Sequence, residues 1–155
     1  MLVWRHLRKL GAVHIESGVW LLPHLPSLTP SVEKLVDEIK TLGGKANAFY
    51  VGDLPAGQEE ELRTAFNGVR REEYVDLLQI CQRFLDHVKR VTEAGDFRFV
   101  QVEELEEDLE KRRRWLSQVV ARDVLGVPER QQVEDCLKDC EKALAQFEER
   151  ASLEG

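Results

Sequence analysis

Residues 12–23, AVHIESGVWLLP, decide the fold class. Two short runs rich in β-branched and aromatic residues flank Ser17-Gly18, a pair suited to a tight reversal, and Pro23 closes the second run because it lacks a ladder donor. The segment reads as a β-hairpin, so a chain otherwise patterned for helices belongs to the α+β class. On its N-terminal side, Leu2, Val3, Leu7 and Leu10 recur at helical spacing with Arg5, His6, Arg8 and Lys9 between them, and Gly11 supplies the stop. The described start of the chain therefore reads as an amphipathic, basic helix.

On the C-terminal side, Thr29 to Leu42 carries Pro30 at a first helical position, apolar Val32, Leu35, Val36, Ile39 and Leu42 on one stripe, and Gly43-Gly44 as terminator. ANAFYV (46–51) then reads as a third strand, which places a small sheet within residues 1–55. After Asp53 the texture changes to long charged helices, and residues 56–155 form the second region. Leu62, Phe66 and Val69 begin one stripe that Gly68 is expected to interrupt; Val75, Leu78, Cys81, Leu85, Val88 and Val91 form the next, up to Gly95. Leu105, Leu109, Leu116 and Val120 share a face of a helix running to about Val124, before Gly126 and Pro128. Val133, Leu137, Cys140, Leu144 and Phe147 step by four and three in an a/d pattern that predicts a helical hairpin or bundle.

The 155 residues, 43% hydrophobic, suffice for one compact domain or two small ones, and no apolar run reaches the length of a membrane helix. With no apolar signal segment and an odd count of three cysteines, the composition suits a reducing, cytoplasmic setting. The net charge of −7 is unevenly spread. Residues 1–50 hold 6 Lys/Arg against 4 Asp/Glu, and the remainder 16 against 25. A polyanion is repelled by the averaged field, so any contact with nucleic acid needs a local basic patch and weakens with salt.

Few residues suggest chemistry. Cys136 and Cys140 lie four apart on one helix face, but a structural zinc site takes four ligands; the pair reads as small core residues. His6, His14, His24 and His87 are paired with no nucleophile by a recognisable motif, no phosphate-binding glycine loop occurs, and the carboxylates Glu103 to Glu110 read as a solvated helix start. The chain is accordingly expected to be no enzyme and to need no metal or other cofactor. Of two basic clusters, Lys111 to Arg114 can pair internally through Glu107–Lys111, Asp108–Arg112 and Glu110–Arg114. Arg5, Arg8 and Lys9 have no such acids nearby and are the candidate phosphate contacts. Trp4 and Trp20 read as core anchors.

VWRHLRKLGAV (3–13), GVWLLP (18–23), GGKANAF (43–49) and ARDVLGVP (121–128) together resemble the N-terminal domain of the chromate resistance protein ChrB. The first block is also similar to PaaX-type transcriptional repressors, whereas ARDVLGVP points to ChrB. The resemblance implies a ferredoxin-like unit followed by helices, in a cytoplasmic regulator that represses a chromate efflux operon. Arg5, Arg8 and Lys9 fall in the basic helix of that block and would touch operator DNA. Family members carry a further strand ahead of that helix and a separate C-terminal sensing half; a ferredoxin-like sheet here would lack its first strand, and chromate would be sensed by the other domain. Open sheet edges, together with the Val133–Phe147 stripe, predict a homodimer without membrane attachment. The alternative reading is an interaction module that binds no DNA.

Overall fold

The structure is a computed structural model and describes residues 2–154. It divides into two compact units, one up to Val69 and one from Arg70, the division falling inside a single long helix.

The first unit contains α1 (Val3–Leu10), β1 (Val13–Glu16), β2 (Val19–Leu21), α2 (Thr29–Thr41) and the start of α3 (Ala56–Glu93). Gly11 ends α1 because it adopts φ 94°, which lets its N–H reach the Arg8 carbonyl (3.0 Å) while that of Ala12 reaches Leu7 (2.9 Å). β1 and β2 pair antiparallel in the register Val13↔Leu21, His14↔Trp20 and Glu16↔Val19, with an irregularity between His14 and Glu16. The expected hairpin is thus present.

The expected third strand is not. Residues 46–51 follow α2 without strand structure, and Phe49 is 84% exposed. Aromatic and β-branched residues favour a strand only where a pleated neighbour receives them; without a partner, propensity alone leaves the segment irregular. The described sheet is therefore two-stranded. Trp4 and Trp20 also depart from expectation. Trp4 lies exposed on α1, a helix with no fully buried residue, and Trp20 is half-buried with its ring tilted against His14. The buried apolar residues of this unit are few: Ala12, Val13, Leu35 and Phe66.

The second unit comprises residues 70–93 of α3, α4 (Phe99–Arg122) and α5 (Glu129–Glu154), joined by short links that reverse the chain twice. At the first link Gly95 takes φ 66°, and Arg98 donates a fork of hydrogen bonds to Asp96 at 2.7 and 2.8 Å. Those bonds hold the Asp96 carboxyl down to about 2. Buried stripes from the three helices meet in one core: Tyr74, Leu77, Cys81, Phe84 and Val88; Leu105, Leu109, Leu116 and Val119; Val133, Leu137, Cys140, Leu144 and Phe147.

The α5 stripe is the expected one. Because it is consumed inside the bundle, it is not available as the second association surface that the sequence suggested. On α3 the buried line is rotated by one position, with Val75 left 45% exposed and the bulkier Tyr74 and Phe84 inside. The interruption expected at Gly68 is absent too, since α3 is continuous over 38 residues. A helix-interior glycine costs about 1 kcal/mol relative to alanine, which is small beside the burial of neighbouring Phe66.

Candidate functional site

α1 has no acidic residue, and Arg8 and Lys9 sit in its last turn, where positive charge complements the helix dipole. Trp4 is the centre of this face. The Arg5 guanidinium lies 5.3 Å and that of Arg8 5.2 Å from its ring centroid, so residues i+1 and i+4 flank one indole. Arg5, Arg8 and Lys9 are all exposed, and none of them forms an ion pair with another described residue. The structure thus brings the three predicted side chains onto one short helix and adds Trp4, whose role as a platform for two guanidinium groups was missed. The signal was legible: an aromatic followed by Arg at i+1 and i+4 can be flanked on a helix.

The second basic cluster is differently placed. Arg112 pairs with Asp108 (3.5 Å), as the spacing predicts, and its guanidinium also lies 5.7 Å from the centroid of the Phe84 ring. Arg113 pairs with Glu110 (3.5 Å) and, across to α5, with Glu141 (3.2 Å). Among the described residues no ion pair joins Glu107 to Lys111 or Glu110 to Arg114. Spacing on one helix could not anticipate Glu141, which arrives from another element.

ARDVLGVP forms the α4–α5 reversal, and Asp123 holds it. Its carboxylate accepts hydrogen bonds from the Gly126 and Val127 amides (each 3.1 Å) and from the Tyr74 hydroxyl (2.8 Å). Burial, and then that bond to Asp123, push the Tyr74 hydroxyl above its ordinary range. Arg70, 2% exposed, donates to the Arg122 carbonyl (3.4 Å), while Glu73 lies between the Arg70 and Arg122 guanidinium groups at 3.4 and 3.3 Å. Desolvation lowers the Arg70 pKa, with Glu73 opposing. This buried polar network ties α3 to the reversal and has every mark of a structural lock: its charges alternate and it is closed to solvent.

The remaining candidates lie apart from α1. His14 faces Trp20 at 5.0 Å and His24 faces Tyr50 at 4.8 Å. Among the described residues, no group of three His, Cys, Asp or Glu side chains is arranged to hold a metal ion. No described helix is long and apolar enough to cross a membrane.

Comparison with known proteins yields a family and one relative. The family described as "Protein ChrB, N-terminal" matches residues 1–154. Protein ChrB of Cupriavidus metallidurans is 33% identical over 76 residues, which make up 49% of this chain and 23% of that protein. The aligned part thus spans less than a quarter of the relative's length. No solved structure matches the chain.

Proposed function

The chain belongs to the ChrB N-terminal family, and on that premise we propose that it serves in the cytoplasm as the DNA-contacting part of a transcriptional regulator of chromate resistance. α1 would lie against the phosphate backbone, with Arg5, Arg8 and Lys9 as the contacts and Trp4 as the rigid surface that keeps two of the guanidinium groups extended. The observation that carries this reading is the unneutralised charge of α1: three exposed cations on eight residues, with no carboxylate among them. On this reading the chain performs no catalysis and carries no cofactor. Any response to chromate would come from a domain outside the matched segment.

A competing reading, an interaction module that never touches DNA, draws on the net charge of −7 and on the exposed Phe49, Tyr50 and Val51. Fluorescence anisotropy separates the two, using a labelled duplex from upstream of the chain's own gene at several salt concentrations. The wild type should bind with a salt-dependent affinity. Replacing Arg5, Arg8 and Lys9 together by Ala should lower the slope of log affinity against log salt by about three units, roughly one for each phosphate contact removed. Unchanged affinity and slope in that variant, or no binding by the wild type at low salt, would refute the assignment.

A further inference from the structure

All three cysteines of the chain end in one place. Cys81 from α3 and Cys140 from α5 are both fully buried in the bundle core. The Cys140 thiol donates to the Cys81 carbonyl at 3.3 Å, and the two thiols also hydrogen-bond each other. Cys136, one turn earlier on the same face of α5, is half-buried and reaches Cys140. A line of thiols therefore leads from the partly exposed surface of α5 to the centre of the bundle.

A cation stands beside it. The α4 stripe steps from Leu109 to Leu116 through Arg112, where the heptad spacing calls for an apolar side chain. Arg112 is largely sheltered, sits over Phe84, and bonds the Asp108 carbonyl at 3.0 Å. Its Nε is buried and has no hydrogen-bond partner among the described residues. A buried guanidinium with a spare donor calls for an anion, and the thiols are the groups in this layer able to become one. The Cys140 hydrogen bond, with the Arg112 charge beside it, draws the Cys81 thiol below its ordinary range, whereas the Cys140 thiol, which shares that bond and is buried, is pushed up.

We propose that Cys81 and Cys140 form a two-thiolate site for a soft monovalent cation of the Cu(I) or Ag(I) class, entered past Cys136 and charge-balanced by Arg112. Such cations prefer thiolates and accept two of them in a near-linear arrangement, so the site does not require the three or four ligands that hard or borderline ions take. Binding replaces both thiol protons: two S–H groups and one monovalent cation give one anionic S–M–S bridge and two released protons. The bridge carries a single negative charge, opposite in sign to the Arg112 guanidinium. No electron is transferred.

The test is titration of the reduced full chain with Ag(I), followed by native mass spectrometry, by proton release at constant pH and by far-ultraviolet circular dichroism. One silver ion per chain should bind with release of two protons and no loss of helix. Cys136→Ser should keep that stoichiometry but load more slowly, while Cys81→Ala and Cys140→Ala should each abolish the tight site with the helical signal retained. Arg112→Gln should weaken binding without changing the stoichiometry. Silver that follows Cys136 alone, that binds only as helix is lost, or that survives removal of Cys81 would overturn the proposal. So would a folded wild type that takes up none.

Discussion

Asp123 carries the α4–α5 reversal as a single residue. One buried carboxylate satisfies two amides of the turn and the hydroxyl of Tyr74, three donors that would otherwise face a low-dielectric interior without partners. Asp123→Ala should therefore cost about 2–4 kcal/mol in urea unfolding followed by helical signal, because it strands all three. Tyr74→Phe removes only one bond and leaves the turn amides paired, so it should cost about 1 kcal/mol. If Asp123→Ala fell within about 0.5 kcal/mol of wild type, the reversal would not depend on this carboxylate. At this scale the sequence was half legible. The Asp-x-x-Gly turn is local and its residues were quoted on sight, but Tyr74 and Arg70 lie some 50 positions away on α3, and nothing in their spacing announces the partner.

At the scale of elements, α3 shows how packing overrides local signals. Gly68 reads as a break, yet the helix passes through it. Its position carries no steric demand: a Cβ built there meets nothing within 4 Å, and its φ is not in the left-handed region. Gly68→Ala should accordingly stabilise the protein by about 0.5–1 kcal/mol, through lower unfolded-state entropy and better helix propensity, seen as a higher urea midpoint with an unchanged slope. A destabilised variant would mean that the glycine is needed for a bend or a close approach. The rotation of the α3 stripe has the same origin. Both lines fit the helical period, and the bundle selects the one with Tyr74 and Phe84 because those rings fill more of the shared interior. Residues 46–51 make the complementary point, since a strand-like composition does not become a strand without a neighbouring edge.

For the whole molecule, the two units differ in how completely they bury apolar surface. In the first, Leu2, Trp4, Ile15, Val19, Phe49 and Val51 are exposed and the hairpin has two open edges. We propose that a second copy pairs along such an edge, giving a dimer that would place two basic α1 helices on one particle, as paired DNA half-sites require. Light scattering over a concentration series should show the mass doubling, and Val19→Lys should return it to the monomer. A constant monomer mass at tens of micromolar would remove the edge-pairing argument. The second unit needs no such cover, because its three stripes close on each other. The sequence by itself determined the α+β class, the hairpin, the helix ends at Gly11 and Gly43, the a/d line of α5 and the unneutralised charge of α1. These are properties of neighbours along the chain, where period, turn residues and i,i+4 pairing act over a few residues. Only the tertiary structure decided that 46–51 is no strand, that α3 is unbroken, that Trp4 lies outside, and that Cys81, Cys136 and Cys140 converge. Each of those depends on which distant surface is present to receive a side chain, and that is settled when helices pack.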